Sequence, residues 1–145
     1  MKPVEVSVWI AASPEMVWSE LECIEDHALW MSDATGIGFV GDQRRGVGTR
    51  LRVATRVGPF RMTDDIEFTE WEPPTTMVVR HLGPVSGTGR FEIMPSAEGA
   101  TLTRIEMLEL PWFLGGPLGR AVVLPTLTRI WSRDLRRLRD RISSR

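Results

Sequence analysis

Four polar residues fall in phase with apolar neighbours in segments that otherwise alternate like strands, and these could do chemistry. In FRMTDDIEF, the residues Phe60, Met62, Asp64, Ile66 and Phe68 share one face, and Asp64 is its odd member. A carboxylate on such a face must be wet or paired. It is either a hydrogen-bonded structural Asp or a cavity acid that positions a ligand hydroxyl or moves a proton. The next segment sets Met77, Val79 and His81 on one face and Val78, Arg80 and Leu82 on the other. An imidazole tolerates partial burial at lower cost than a guanidinium, so His81 is the better inward candidate, as a satisfied structural His, a hydrogen-bond donor or a general base. In TLTRIEMLEL both faces are mixed: Leu102, Arg104, Glu106 and Leu108 occupy one, Thr103, Ile105, Met107 and Glu109 the other. If Arg104 points inward it must pair, and Glu106 is the nearest charge, a pair that would also grip an anionic ligand head. The alternative is an exterior charge ladder of the kind Arg50, Arg52 and Arg56 would make facing Asp65, Glu67 and Glu70 across a hairpin.

Other chemistries lack the residues they need. There is no P-loop, GxSxG, HExxH or CxxC, and only two histidines, His27 and His81, accompany the single Cys23. One thiol and two distant imidazoles make a poor metal inventory, so neither a metal nor another cofactor is expected. Cys23 cannot form an internal disulfide and reads as a small core residue.

The elements that must position these residues follow from the pattern. Val4, Val6, Val8 and Ile10 alternate with polar residues and with Trp9, which predicts a first strand. Ser13-Pro14-Glu15 supplies a capping oxygen, a proline at the first helical position and an acid at the positive end of the dipole, so a helix starts there. EDHALWM, residues 25–31, reads as a second short helix. Turn signals at 41–48, 57–59, 72–74, 82–84 and 96–99 then bound strands at roughly 36–41, 48–57, 60–70, 75–82, 86–95 and 100–109. Turns this short exclude parallel crossovers, and a seven-stranded antiparallel sheet is predicted. A final long helix carries Leu118, Val122, Leu127, Ile130, Trp131, Leu135, Leu138 and Ile142, with a bend expected near 121–125 because Pro125 interrupts it.

With 145 residues and 42% hydrophobic content, residues 1–145 are expected to form one α+β domain with one core. The sheet has to bury its apolar face, and the last helix is the only element long enough to cover it. The net charge of −1 is uneven: residues 117–145 hold eight Arg against two Asp. RDLRRLRDRISSR reads as the solvated back of a helix with Arg–Asp pairs, and the acidic remainder opposes approach to phosphates. Nucleic acid is therefore not an expected partner, and a membrane is disfavoured. No signal peptide and no apolar run of spanning length is present, so a cytoplasmic location is expected.

The order strand, two short helices, six strands and a long C-terminal helix resembles the START-like, helix-grip superfamily SRPBCC, particularly its polyketide cyclase/dehydrase branch. VSVWIAASPEMVWSELECIEDHALWM resembles the family's opening strand and paired helices, and DDIEFTEWEPPTTMVVRH its central hairpin. The resemblance implies a curved sheet wrapped around the last helix, with a deep cavity between them. It implies binding of an apolar small molecule such as a lipid, polyketide or aromatic metabolite. A cyclase or aromatase using Asp64, His81, Arg104 and Glu106 is the alternative, and a membrane- or partner-binding adaptor using the Arg-rich helix is a further one. The implied lining is Trp18, Trp30, Met62, Phe68, Phe91, Trp112, Phe113 and Trp131. A homodimer is left open. In LELPWFLGGPLGR, Pro111 should stop the last strand, while Trp112 and Phe113 would form a hinged, aromatic lip over the cavity mouth.

Overall fold

The computed structural model describes residues 2–145. Strand β1 spans Val4–Ile10 and buries each alternate residue, from Val4 to Ile10, as its period of two requires. Helix α1, Pro14–Leu21, opens with the Ser13 hydroxyl accepting the Met16 amide at 3.2 Å. The expected second short helix follows as a 3₁₀ helix over Ile24–Leu29. Strands β2 (Ala34–Phe39), β3 (Arg50–Val57), β4 (Phe60–Glu72), β5 (Thr76–Leu82), β6 (Ser86–Ser96) and β7 (Gly99–Glu109) complete the sheet.

All neighbours are antiparallel, in the order β1-β7-β6-β5-β4-β3-β2. The first and last strands in sequence are thus paired, and the curled sheet is an open half-barrel with β1 and β2 as its two edges. After Pro111 a short 3₁₀ turn, Trp112–Leu114, leads into α2, Gly116–Ser143. This helix packs mainly on β1, with lesser contact to β7 and α1, and so it lies across one side of the concave face. It is a single helix of 28 residues that runs through Pro125 without a break in its assignment.

Packing explains which side chains became core. Ile10, Val17, Leu21, Ile24, Leu51, Met77, Ile93, Leu102, Leu135 and Leu138 are fully buried and tie β1, α1, the sheet and α2 into one cluster. The arginines near the C-terminus are not simply solvated. Arg141 and Arg145 both reach the carboxylate of Glu20 on α1, which is itself buried, and Arg141 also lies 3.8 Å from Asp26. Arg137 donates to the Leu29 carbonyl at 3.3 Å. Much of the basic run therefore clamps α2 to the α1 region.

Candidate functional site

Between sheet and helix lies a cavity of about 570 Å³. Its apolar wall comes from alternate residues of β3, β4 and β5, including Val53, Met62, Ile66, Phe68, Met77 and Val79, and from Leu127 and Trp131 of α2. The period of two places Asp64 between Met62 and Ile66, His81 after Val79, and Arg104 and Glu106 on the inward face of β7. All four predicted polar residues thus meet on one wall.

They form a continuous chain. His81 directs Nδ1 to Asp64 Oδ2 and Nε2 to Glu106 Oε2, each at 3.2 Å. Arg104 Nε donates to Glu106 Oε1 at 3.1 Å, and its guanidinium carbon lies 4.6 Å from the centre of the Trp131 ring and 5.7 Å from that of Phe91. Burial disfavours a charged His81, but its hydrogen bonds to the Asp64 and Glu106 carboxylates outweigh it and raise the imidazole to about 9. At neutral pH both ring nitrogens carry protons and both are donated. Burial likewise works against the Glu106 carboxylate, and the charge of Arg104 with the hydrogen bond from His81 holds it below the usual carboxylate range. With both ring nitrogens directed at carboxylates and its pKa raised, His81 suits the hydrogen-bond-donor option better than the general-base one.

Two valences in this chain are unspent. Asp64 Oδ1 and Arg104 Nη1 are buried and have no hydrogen-bond partner. The cluster therefore keeps one acceptor and one donor without a partner, on residues that line the cavity. Glycines make the arrangement possible: a Cβ at Gly83 would collide with Asp64 Oδ1, and one at Gly89 would lie 2.8 Å from Glu106 Oε1. Gly89 faces Glu106 across the β6–β7 ladder. Gly-Thr-Gly in a strand was the sequence signal for this close approach.

The sequence reading missed a second polar group at the same end. His27 lines the cavity with its Nε2 2.6 Å from the Leu21 carbonyl, and burial lowers its pKa to about 4, which keeps it neutral. Asp134, counted among the residues of a solvated run, is fully buried on α2 and accepts the Ser32 amide and hydroxyl at 3.1 and 2.7 Å. Burial raises its pKa. Trp131 Nε1 donates to the neighbouring Asp33 at 3.3 Å.

The expected aromatic lining divides. Met62, Phe68, Phe91 and Trp131 face the cavity. Trp18 and Trp30 do not: Trp18 packs edge-on against Trp71, which backs Phe68, and Trp30 backs His27 and Phe91. Helix α1 and the 3₁₀ turn lie behind the lining, so their indoles form a supporting layer. Trp112 and Phe113 also differ from expectation, being 87% and 59% exposed. In the tight turn that carries them it is Leu114, with Leu110 before it, that faces the cavity, and the two aromatic rings are thrown outward. The segment borders the mouth, but with leucines. Of the exterior ladder, Arg50–Glu67 and Arg52–Asp65 form, whereas Arg56 faces Arg61 and Glu70 faces Val78.

Comparison with known families places the chain in one of them. A family model described as polyketide cyclase / dehydrase and lipid transport matches residues 1–144. The chain belongs to this family. Solved structures agree on the fold. The protein TTHA0849 from Thermus thermophilus superposes with a TM-score of 0.82 at 20% identity, covering 98% of this chain and 97% of that one. The Zhui aromatase/cyclase from Streptomyces sp. R1128 gives 0.74 at 16% identity, covering 98% and 93%. The di-domain aromatase/cyclase BexL, from the BE-7585A biosynthetic pathway, gives 0.75 at 17% identity, with 99% of this chain on 50% of that one. No curated protein matches the chain by sequence. At these identities the structural likeness establishes the helix-grip fold alone. No helix among the described residues is long and apolar enough to cross a membrane.

Proposed function

We propose that this protein binds an apolar small molecule, of flat or polycyclic shape, that carries at least one hydroxyl or carbonyl. The observation that carries the reading is that Asp64 Oδ1 and Arg104 Nη1 have no partner, on two residues that line an otherwise apolar cavity of about 570 Å³. That size lies within the usual range for small-molecule sites, roughly 300–1,000 Å³. Asp64 and Glu106 balance the imidazolium and Arg104, so the cluster suits a neutral polar end better than a full anion. Arg104 is already paired with Glu106, which argues against the anion grip.

A cyclase-type activity is the second reading, favoured by the buried imidazolium–carboxylate chain. An aldol-type ring closure in a poly-β-keto chain needs shape plus a proton shuttle. Asp64, with its free oxygen, would be the base, and Arg104 would steady a developing enolate oxygen. His81 would hold Asp64 in place.

Titration with 1-naphthol and with naphthalene, followed through tryptophan fluorescence, separates a polar anchor from simple greasy burial. Wild type should prefer 1-naphthol by about tenfold or more, the worth of a hydrogen bond to a charged group. Asp64→Asn should reduce that preference and leave naphthalene binding unchanged. Equal affinity for both probes in wild type would remove the anchor. For the second reading, turnover of a poly-β-keto thioester that survives unchanged in both Asp64→Asn and His81→Gln would remove those residues from catalysis.

A further inference from the structure

The mouth of the cavity carries a second, unrelated feature. Two segments rim it: the β3–β4 hairpin, whose Val57, Gly58, Pro59, Phe60 and Arg61 line the opening, and the stretch from Leu110 to Val123 on the other side. Both present apolar side chains to solvent. Trp112 is 87%, Leu118 78%, Val122 74% and Phe60 65% exposed, and the Trp112 and Phe113 rings stack edge-on at 5.9 Å with nothing over them. Scattered exposed hydrophobics are ordinary, but this many around one opening are not.

Charge tells what covers them. The chain is acidic overall, yet residues 110–133 contain no Asp or Glu and residues 54–63 contain none either. Those two stretches hold Arg56, Arg61, Arg120, Arg129 and Arg133. None of the five forms a salt bridge among the described residues; Arg120 is taken up by the Leu108 and Lys2 carbonyls, while Arg56 and Arg61 stand directly opposite each other at the hairpin tip. Like charges paired across strands are destabilising and persist where a counter-charge is met. An exposed tryptophan among leucine and valine, flanked by unpaired arginines and free of carboxylates, is the composition that partitions into the headgroup layer of an anionic bilayer.

We propose that the rim of the cavity mouth docks on an anionic lipid surface, with Phe60, Trp112, Phe113, Leu118 and Val122 entering the headgroup layer and Arg56, Arg61, Arg129 and Arg133 meeting lipid phosphates. The opening then faces the bilayer, and an apolar ligand passes between membrane and cavity without crossing water. This surface is distinct from the basic run after Arg133, where Arg137, Arg141 and Arg145 are committed to Glu20, Asp26 and the Leu29 carbonyl.

Flotation with phosphatidylcholine vesicles, with and without phosphatidylserine, tests the docking. Wild type should float with the anionic vesicles, less so as salt rises, and hardly with phosphatidylcholine alone. Trp112→Ser with Phe113→Ser should abolish flotation. Arg61→Glu should weaken it by roughly tenfold or more, whereas Arg136→Glu, a matched reversal on the far part of α2, should change it little. These positions are exposed, so circular dichroism should be unchanged in every variant. Failure of wild type to float, or equal loss in Arg61→Glu and Arg136→Glu, would overturn the proposal. So would a wild-type dimer in solution that Trp112→Ser dissociates, because the patch would then be covered by a second copy. Naphthol binding in solution is unaffected by any of these outcomes, so docking and ligand binding stand or fall separately.

Discussion

His81 and His27 sit in one cavity and respond to pH with opposite sign. His81 is raised to about 9, so its stabilising contribution is complete below pH 6.5 and is lost as pH rises through about 9. His27 is lowered to about 4, so it is held neutral, and stability falls as pH drops from about 6.5 towards 4, where the unfolded chain binds the proton first. Thermal unfolding against pH should therefore lose stability towards both ends of that interval. His81→Gln should remove the alkaline loss and leave the acid one. A wild-type His81 resonance titrating near 6.5 by NMR would contradict the ion chain. Gly89→Ala is a sharper probe, since its methyl lies within van der Waals contact of Glu106 and must push that carboxylate from His81. We expect the His81 pKa to fall in that variant, and an unchanged titration would show that Glu106 is not what holds the proton.

At the scale of elements, the fold was readable because each strand announced its face through alternation and each turn through Gly or Pro. The faces of β4 and β5 placed Asp64 and His81 inward correctly, because their neighbours are unambiguous. β7 could not be read the same way: both of its faces mix charge with apolar residues, and only its pairing with β6, which sets Arg104 opposite Phe91 and Glu106 opposite Gly89, decides the matter. Asp134 was missed for a related reason. Helical charge patterns do not reveal that a loop 102 residues away will present an amide and a hydroxyl. Nor does a Trp-Phe pair after a proline reveal which way a three-residue turn will throw it. The same limit applies to Glu20, whose burial under α2 is a tertiary fact. Glu20→Ala should cost about 1–3 kcal/mol in denaturant unfolding by releasing Arg141 and Arg145, as loss of a charged hydrogen-bond partner does. A change below about 0.5 kcal/mol, the ordinary surface range, would mean that the clamp is idle.

For the whole molecule, the half-barrel and α2 leave a space that neither side fills, and the protein retains it although close packing is the default for interiors. The account rests on that space being a binding site rather than a packing defect. Val79, on β5 two residues before His81, lines it, and Val79→Trp would occupy it. The deciding measurement is the titration of wild type and Val79→Trp with 1-naphthol, with circular dichroism verifying the fold of both. Saturable one-to-one binding in wild type that disappears in Val79→Trp is the predicted result. No binding in wild type, or the same binding in both proteins, would contradict it.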